Sequence, residues 1–224
     1  MEIGKKTLPR GKWKLEIPDN GGVVARYTGP KHKLCRAEGV AICGLAKCPV
    51  IRKNAGPPGQ HGQKRRRKQS DYGIQLREKQ KVKRMYGVLE KQFKKTYDKA
   101  SRTKAATGEA LLQMLEIRLD NVVYRLNLAE TRPQARQLVS HGHVLVAGKK
   151  VTIPSYSVKI GDIISLSQKA SNLNFVKKIS EDKNRQIPQW LEKKAIVGKV
   201  KAKPKREDID IDVNERLIVE HYSR

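Results

Sequence analysis

Residues 118–126 read RLDNVVYRL, and this stretch decides what kind of domain forms in the second half of the chain. Leucine and valine recur within it and just upstream at spacings of three and four, as expected for a helix with one apolar face. These positions are Leu111, Leu115, Leu119, Val122 and Leu126. Arg118 and Arg125 lie seven residues apart, so they share one face of such a helix. The stretch therefore predicts an apolar stripe for a core and a basic face for a partner.

A second helix and a small sheet are predicted directly after it. Thr131 fits the N-cap of this helix, because Gln134 follows three residues later in capping-box spacing and Pro133 is tolerated in the first turn. Gly142 can end the helix. Three short β-branched runs come next, at residues 144–146, 151–153 and 163–166. The pattern predicts a module of two helices and a small antiparallel sheet.

The segment before this module is predicted to be mostly helical. Ser70 fits an N-cap, and Gly87 predicts a break between two helices. An apolar stripe runs through both helices, at Val82, Met85, Tyr86, Leu89, Phe93 and Tyr97. The tail is acidic and partly apolar, so we expect it to dock on the basic N-terminal half. The patterns therefore predict an α+β chain with an extension at 1–25, a basic helical region at 26–106, the module at 107–170 and a C-terminal segment at 171–224.

The charge of the chain indicates nucleic acid as its partner. Lys and Arg total 49 against 22 Asp and Glu, which gives a formal net charge of +27. Self-repulsion of this size opposes a compact state unless an anionic partner neutralises it, and nucleic acid presents a dense array of phosphates. No long apolar run is present, so a membrane partner is not expected. Aromatic residues are only 5% and form no alternating stacking platform, which favours folded RNA over single strands.

Motifs of enzyme chemistry are missing from the sequence. It contains no Gly-rich phosphate loop followed by Lys-Ser or Lys-Thr, no His-Glu-x-x-His and no Gly-x-Ser-x-Gly. His61 lies in a Gly-Gln-His-Gly loop without a carboxylate or nucleophile nearby in sequence, which is more typical of a polar packing or RNA contact than of a catalytic base. We therefore expect a binding protein and not an enzyme.

Basic residues cluster on the predicted helices in a way that suits an RNA backbone. A solvated helix usually mixes charge signs for pairing at i,i+4, whereas the first helices and the module present mostly cations. The candidate RNA-binding residues are Lys64, Arg65, Arg66, Arg67, Lys68, Lys79, Lys83, Arg84, Arg118, Arg125, Arg132, Arg136, His141, His143, Lys149 and Lys150. Two helices and a turn that offer cations on one side match a structured RNA, which proteins read by shape and phosphate contacts. The alternative is scattered surface charge.

All three cysteines of the chain fall in one short stretch, at Cys35, Cys43 and Cys48. An odd, clustered set favours a reducing compartment over a disulfide framework. With His32 the spacing is His-x2-Cys-x7-Cys-x4-Cys, and three thiolates with one imidazole are a normal tetrahedral zinc set. We predict one structural zinc ion, because this Gly- and Pro-rich stretch has little apolar material to fold around. The alternative is a degenerate site of three packed thiols, with His32 on RNA.

Several motifs resemble those of the bacterial-type small-subunit ribosomal protein four family. They are YTGP (27–30), PGQHG (58–62), SDYG (70–73), LREKQK (76–81), RLDNVVYRL (118–126), RPQARQLV with HGH (132–143), NERLIVE (214–220) and YS (222–223). The resemblance covers about residues 26–224, and the first twenty-five or so residues look like an extension. Tyr72 and Gln137 lie within these motifs and join the candidate RNA-binding residues.

The resemblance implies a structural protein of the small ribosomal subunit in the cytoplasm. It also implies a mostly helical first domain at 26–106 with a zinc-stabilised, loop-rich N-terminal part, which 171–224 completes and into which the module at 107–170 is inserted. Members of this family bind the five-prime domain of the small-subunit rRNA early in assembly, near the mRNA entry channel and beside other small-subunit proteins. The run at residues 64–68 would then grip mRNA, or else hold ribosomal RNA alone. Some members carry four cysteines in the metal stretch, and His32 occupies the first of those positions here. Two rival functions stay open: an RNA-modifying enzyme that carries the same module, and a free translational repressor.

Overall fold

The computed structural model of the chain describes residues 27–53, 55–62, 68–173, 175–176, 179 and 186–223. The helices are α1 (Lys31–Glu38), α2 (Pro49–Lys53), α3 (Asp71–Met85), α4 (Glu90–Ala100), α5 (Thr107–Glu116), α6 (Leu119–Arg125), α7 (Arg132–Ser140), α8 (Gln168–Ser171) and α9 (Glu215–Ser223). The strands are β1 (Val144–Val146), β2 (Lys149–Lys150), β3 (Ile163–Leu166), β4 (Leu191–Lys194) and β5 (Val197–Val200). Helices with an antiparallel sheet confirm the α+β class. The predicted extension at 1–25 lies outside the described residues.

Two helices form where the apolar stripe with its central glycine predicted them. Ser70 accepts a hydrogen bond from the Gly73 N–H at 3.3 Å and caps α3. Gly87 adopts a left-handed φ of 63° between α3 and α4, a conformation that glycine reaches without a Cβ clash. The chain turns there, so Val82 of α3 and Phe93 of α4 are both fully buried in one core.

The C-terminal helix completes this core, as the composition of the tail predicted. Gln75 of α3 donates to Glu220 of α9 at 2.9 Å, and Tyr222 of α9 donates to Glu90 of α4 at 2.9 Å. Ile218 is fully buried among the helices. We call α3–α5 with residues 204–223 the helical domain. Its core therefore joins residues that are far apart in the chain.

The apolar stripe through residues 111–126 predicts one helix, but the chain forms two, α5 and α6. Backbone groups at the break bond to another loop, since the Leu119 N–H donates to Tyr156 O at 2.8 Å and the Val158 N–H donates to Ile117 O at 3.0 Å. The core also changes at this point. Leu111, Leu112 and Leu115 lie in the helical core, whereas Leu119, Val122 and Leu126 lie in a second core. The packing therefore changes at residues 117–118, not at the predicted boundary of 107.

A five-stranded antiparallel sheet of order β2–β1–β3–β5–β4 packs on the second core. β1 pairs with β3 in a register that places Leu145 opposite Ser165, so the predicted strands at 144–146 and 163–166 are present. The third predicted run, 151–153, is not a strand. Lys149 and Lys150 pair with β1 in its place, directly after the turn at Gly148.

The strands β4 and β5 were not predicted from the sequence. Val197 is 42% exposed and Gly198 is the buried neighbour, so the usual alternation of apolar and polar side chains is hidden. β5 pairs with β3, and Trp190, Leu191 and Val200 are buried in the second core. We call α6–α8 with β1–β5 the sheet module. Residues up to Val200 thus pack with this module, whereas the sequence-based division assigned 171–224 to the helical domain.

Residues 27–62 form an N-terminal loop region around α1 and α2. Arg36 donates to Gly56 O at 2.8 Å and to Pro57 O at 3.1 Å, so a side chain holds a loop that Gly and Pro keep out of regular structure. The buried apolar cluster that the structure describes in this region consists of Cys35, Ile42 and Cys48. Across the described part of the chain, none of the helices is long and apolar enough to cross a membrane.

Candidate metal centre and nucleic-acid interface

Helix α1 and the loop after it bring the four predicted metal ligands together. The ligand atoms of His32, Cys35, Cys43 and Cys48 all lie within 4.8 Å of one another, and Cys43 Sγ is 3.9 Å from His32 Nδ1. His32 and Cys35 are three residues apart in α1 and share one of its faces, while Cys48 immediately precedes α2. This arrangement can hold a metal ion.

Burial and hydrogen bonds shift the pKa values of these thiols in opposite directions. Burial raises the pKa of the Cys35 thiol to about 12. At Cys48, hydrogen bonds from the backbone at Val50 and from the Cys43 and Cys35 thiols outweigh the effect of burial and lower the pKa. Three thiolates so close together repel one another, and a soft cation among them removes that repulsion by binding each sulfur. The donor set fits such a cation.

The predicted RNA-binding cations of α3 are paired with carboxylates of the same chain. Lys79 and Lys83 donate to Glu90 at 2.7 and 2.8 Å, and Arg84 pairs with Glu38. Glu38 lies in α1 and Glu90 begins α4. These three cations therefore join α3 to the elements on either side of it.

Three of the four predicted arginines of the sheet module are also paired with carboxylates, and among them Arg136 lies 3.9 Å from Asp120. Arg118 donates to Asp120 through two hydrogen bonds of 3.1 and 2.8 Å. Arg125 donates to Glu116 through two hydrogen bonds of 3.1 and 2.9 Å. Their side chains are 12% and 14% exposed. The structure thus withdraws both guanidinium groups from the surface, and their contact with RNA stays a prediction.

Arg132 and Arg136 lie at the junction between the two domains. The Arg132 guanidinium stands 4.5 Å from the ring centroid of Tyr124 and 5.2 Å from that of Tyr86. Arg136 donates to Gly87 O in the turn between α3 and α4 at 2.9 Å. Both arginines belong to α7, so the second predicted helix of the module contacts the helical domain directly.

A cleft of about 620 Å³ opens beside this junction. Cations line it, namely Lys31, Lys83, Arg84, Arg132 and Arg136, of which Lys83 and Arg84 are paired with Glu90 and Glu38. Apolar side chains are present as well, among them Leu34, Met85 and Leu89. Cations suit phosphates, and apolar surface suits an unstacked base. The lining therefore offers both kinds of contact that a folded RNA can make.

The most exposed part of the predicted interface lies at the end of α7 and at the β1–β2 turn. His141, Lys149 and Lys150 are exposed, and His143 is half-buried with its ring centroid 6.2 Å from that of His141. A Cβ placed on Gly142 would overlap the Lys150 side chain, so the turn lies beside the histidines as predicted. Within the described residues, no carboxylate forms an ion pair with Lys149 or Lys150. These cations are available to phosphates.

The remaining candidate RNA-binding residues are exposed or lie outside the described residues. Gln137 and Lys68 are exposed. Tyr72 is 51% exposed, and its ring centroid is 5.4 Å from that of His221 in α9. Four members of the basic run lie outside the described residues, namely Lys64, Arg65, Arg66 and Arg67.

Sequence reasoning did not single out the carboxylates that hold the module's arginines. Glu116 is 1% exposed and Asp120 is 4% exposed. A signal was available, because Glu116 follows directly on the apolar stripe and a buried carboxylate requires a cation partner. Nearby arginines should therefore be expected as partners of this carboxylate before they are considered as RNA contacts.

Comparison with known proteins first defines the class. Residues 26–116 match the family model described as ribosomal protein S4/S9 N-terminal domain, and residues 117–164 match the model described as S4 domain. The border between the two matches coincides with the change of core at 117–118. A helical domain, a sheet module and a cationic cleft between them therefore define a ribosomal protein that carries an S4 domain.

The full-length relatives then give the particular family. The chain is 53% identical to small ribosomal subunit protein uS4 of Thermoanaerobacter sp. (strain X514) over 209 residues, which are 90% of this chain and 100% of that protein. The same protein of Ruminiclostridium cellulolyticum is 54% identical over 210 residues, with the same coverage, and that of Trichlorobacter lovleyi is 52% identical over 210 residues. The chain belongs to the ribosomal protein S4 family. This confirms the resemblance seen in its motifs and the expectation that it is not an enzyme.

Proposed function

We propose that this chain is a structural constituent of the small ribosomal subunit in the cytoplasm, where it binds the five-prime domain of the small-subunit rRNA and helps to nucleate assembly. The observation that carries the proposal is the match to the whole length of relatives named small ribosomal subunit protein uS4. The net charge of +27 supports it, because folded RNA neutralises such a charge. Neighbouring small-subunit proteins are its further partners.

RNA is bound through the cleft and through the exposed cations next to it. Lys149 and Lys150 contact phosphates, with His141, His143 and Gln137 close to them on the same module. The cleft between the domains receives a folded part of the RNA, which is recognised by shape and not by base sequence. Arg118 and Arg125 act indirectly, because Arg118 pairs with Asp120 within the module and Arg125 joins the module to Glu116 of the helical domain.

Sedimentation tests this function. Native protein should co-migrate with the small subunit at moderate salt, and purified protein should bind a folded transcript of the five-prime domain. The binding should weaken steeply as salt rises, because each neutralised phosphate releases counterions. Free protein at the top of the gradient, together with no binding to the transcript, would reject the ribosomal role and favour one of the two rivals.

The basic run is proposed to touch mRNA near the entry channel. Consecutive cations can hold the backbone of a single strand without reading its bases. Replacement of Arg65, Arg66 and Arg67 by Ala should slow translation through structured messengers more than it impairs subunit assembly. Failed assembly with normal unwinding in the subunits that do form would instead assign the run to ribosomal RNA.

The cluster of His32, Cys35, Cys43 and Cys48 is proposed to hold one structural zinc ion. Four protein ligands leave no position for a reactive water, so the ion would stabilise the N-terminal loop region, where the described apolar cluster is very small. Zinc analysis of protein purified without chelator should give a stoichiometry near one. A stoichiometry near zero would reject the site.

A pair of histidine variants tests the ligand set. His32→Ala should weaken zinc binding, whereas His61→Ala, an exposed histidine of the same region, should not. Full zinc retention with unchanged affinity in His32→Ala would remove His32 as the fourth ligand while leaving the three thiolates in place.

A further inference from the structure

Glu116 ties the two domains together. It ends α5 and is 1% exposed. From the helical domain, Tyr86 donates its hydroxyl to Glu116 Oε1 at 2.6 Å. From the sheet module, Asn121 donates to Oε2 at 2.6 Å, and Arg125 donates to Oε2 and Oε1 at 3.1 and 2.9 Å. Glu116 itself belongs to the helical domain, so the bonds from Asn121 and Arg125 cross between the domains, whereas the bond from Tyr86 orients the carboxylate within its own domain.

Arg132 adds a second connection around this carboxylate. Its Nε donates to Asn121 Oδ1 at 2.8 Å. Its guanidinium lies near one ring from each domain, Tyr86 and Tyr124, in positions where cation–π attraction operates. Burial alone would raise the pKa of Glu116, but Arg125 and Arg132 hold it below its usual value. The carboxylate is thus charged and fully engaged.

The two domains have separate apolar cores. In the described part of the chain, the helical core and the sheet-module core have no residue in common. Domains joined through a small polar interface normally move relative to one another. Hydrogen bonds depend on distance and angle, and in a buried network their strengths support one another. The network around Glu116 can therefore select one arrangement of the domains.

We infer that Glu116 is a positioning residue for RNA binding: it fixes the angle between the helical domain and the sheet module, and with it the shape of the cleft. The inference rests on the proposed RNA-binding function. Glu116 is buried and does not touch RNA. A cleft that is already formed avoids the entropy of ordering two domains when RNA binds. Loosening the network should therefore weaken binding while every surface cation stays in place.

Two variants of the full-length protein test this role. Glu116→Gln keeps the shape of the side chain but turns an NH2 group toward the donors of Asn121 and Arg125. Tyr86→Phe keeps the ring and the buried ion pair, and removes only the hydrogen bond that orients the Glu116 carboxylate within the helical domain, towards its partners in the sheet module. Residual dipolar couplings of backbone N–H groups report the relative orientation of the domains, and titration with the five-prime-domain transcript gives the Kd.

Both variants should keep a folded circular dichroism spectrum, lose the single domain orientation and bind the transcript about ten-fold more weakly, which corresponds to about 1.4 kcal/mol. Tyr86→Phe decides the test if Glu116→Gln does not fold. Glu215→Gln is the matched control, because it removes an ion pair with Arg206 inside the helical domain. It should change neither the couplings nor the Kd.

The two possible failures are distinguishable. A wild-type protein that does not bind the transcript would overturn the proposed function. A wild-type protein that binds, with unchanged orientation or unchanged affinity in the folded variants, would overturn the role of Glu116 and leave the proposed function standing.

Discussion

Gly198 of β5 shows how a single atom limits the packing of the sheet module. Its backbone is buried against Leu126 of α6, and a Cβ there would overlap the leucine methyl groups. Gly198→Ala should lower the free energy of unfolding by about 1–3 kcal/mol, because overpacking forces side chains off their rotamers and shifts backbone. Urea unfolding measures this change. The neighbouring Lys199 is exposed, so Lys199→Ala should stay within about 0.5 kcal/mol; equal effects from both would contradict the packing argument.

The arginines show that residue type and spacing are not sufficient to assign a function to a side chain. Arg118 and Arg125 were predicted as one RNA-facing pair from their seven-residue spacing. The structure gives each its own carboxylate, Asp120 and Glu116. The seven-residue spacing of two arginines does not reveal their carboxylate partners, since Asp120 lies two residues from Arg118 and Glu116 lies in the preceding helix. The four metal-site residues were easier to predict, because ligand chemistry restricts which residues can cluster.

At the scale of elements, local signals were sufficient for some helices. The caps at Ser70 and Thr131 each accept the expected backbone N–H, since a cap depends on residues three positions away. The break between α5 and α6 could not be predicted from local sequence, because it depends on backbone hydrogen bonds from Leu119 to Tyr156 and from Val158 to Ile117. Strand β5 was hidden for a similar reason. Its place is set by pairing with β3 and by contact with α6.

The packing of α9 against α3 and α4 should depend on pH through Glu90. Lys79, Lys83 and Tyr222 donate to this carboxylate and, against the effect of burial, lower its pKa from 4.5 to about 2. A carboxylate with a lowered pKa stabilises the fold at pH above its ordinary value, and this contribution is lost as pH falls toward the lowered value. The stabilisation should thus be complete above pH 4.5 and decline toward pH 2.

Glu90→Gln should therefore destabilise the protein most at pH 7, with a difference from wild type that shrinks progressively below pH 4.5. Urea unfolding between pH 7 and pH 3 measures that difference. Glu207→Gln, at an exposed carboxylate, should stay within about 0.5 kcal/mol of wild type at pH 7. A difference between Glu90→Gln and wild type that does not change with pH would show that Glu90 acts through packing alone.

Over the whole molecule, the cations divide into two sets with different partners. One set is turned inward to carboxylates and fixes the domains, as with Arg125 and Lys79. The other set stays at the surface, as with Lys149 and Lys150. The net charge predicts that an anionic partner exists, but it does not say which cations meet that partner. Tertiary structure makes this division, so the sequence alone assigned both sets to RNA.

The salt dependence of RNA binding should separate the two sets. Each surface cation that neutralises a phosphate contributes roughly 0.7–0.9 to the slope of log affinity against log salt. Replacing both Lys149 and Lys150 by Ala should lower the slope by about 1.4–1.8 in magnitude and leave stability almost unchanged. Arg125→Ala should leave the slope almost unchanged but lower the free energy of unfolding by about 3–5 kcal/mol, because it leaves Glu116 buried without its main partner. Binding of the five-prime-domain transcript across a salt series, with urea unfolding of each variant, gives both quantities. A slope that falls with Arg125→Ala but not with the lysine pair would reverse the assignment and place RNA against α6.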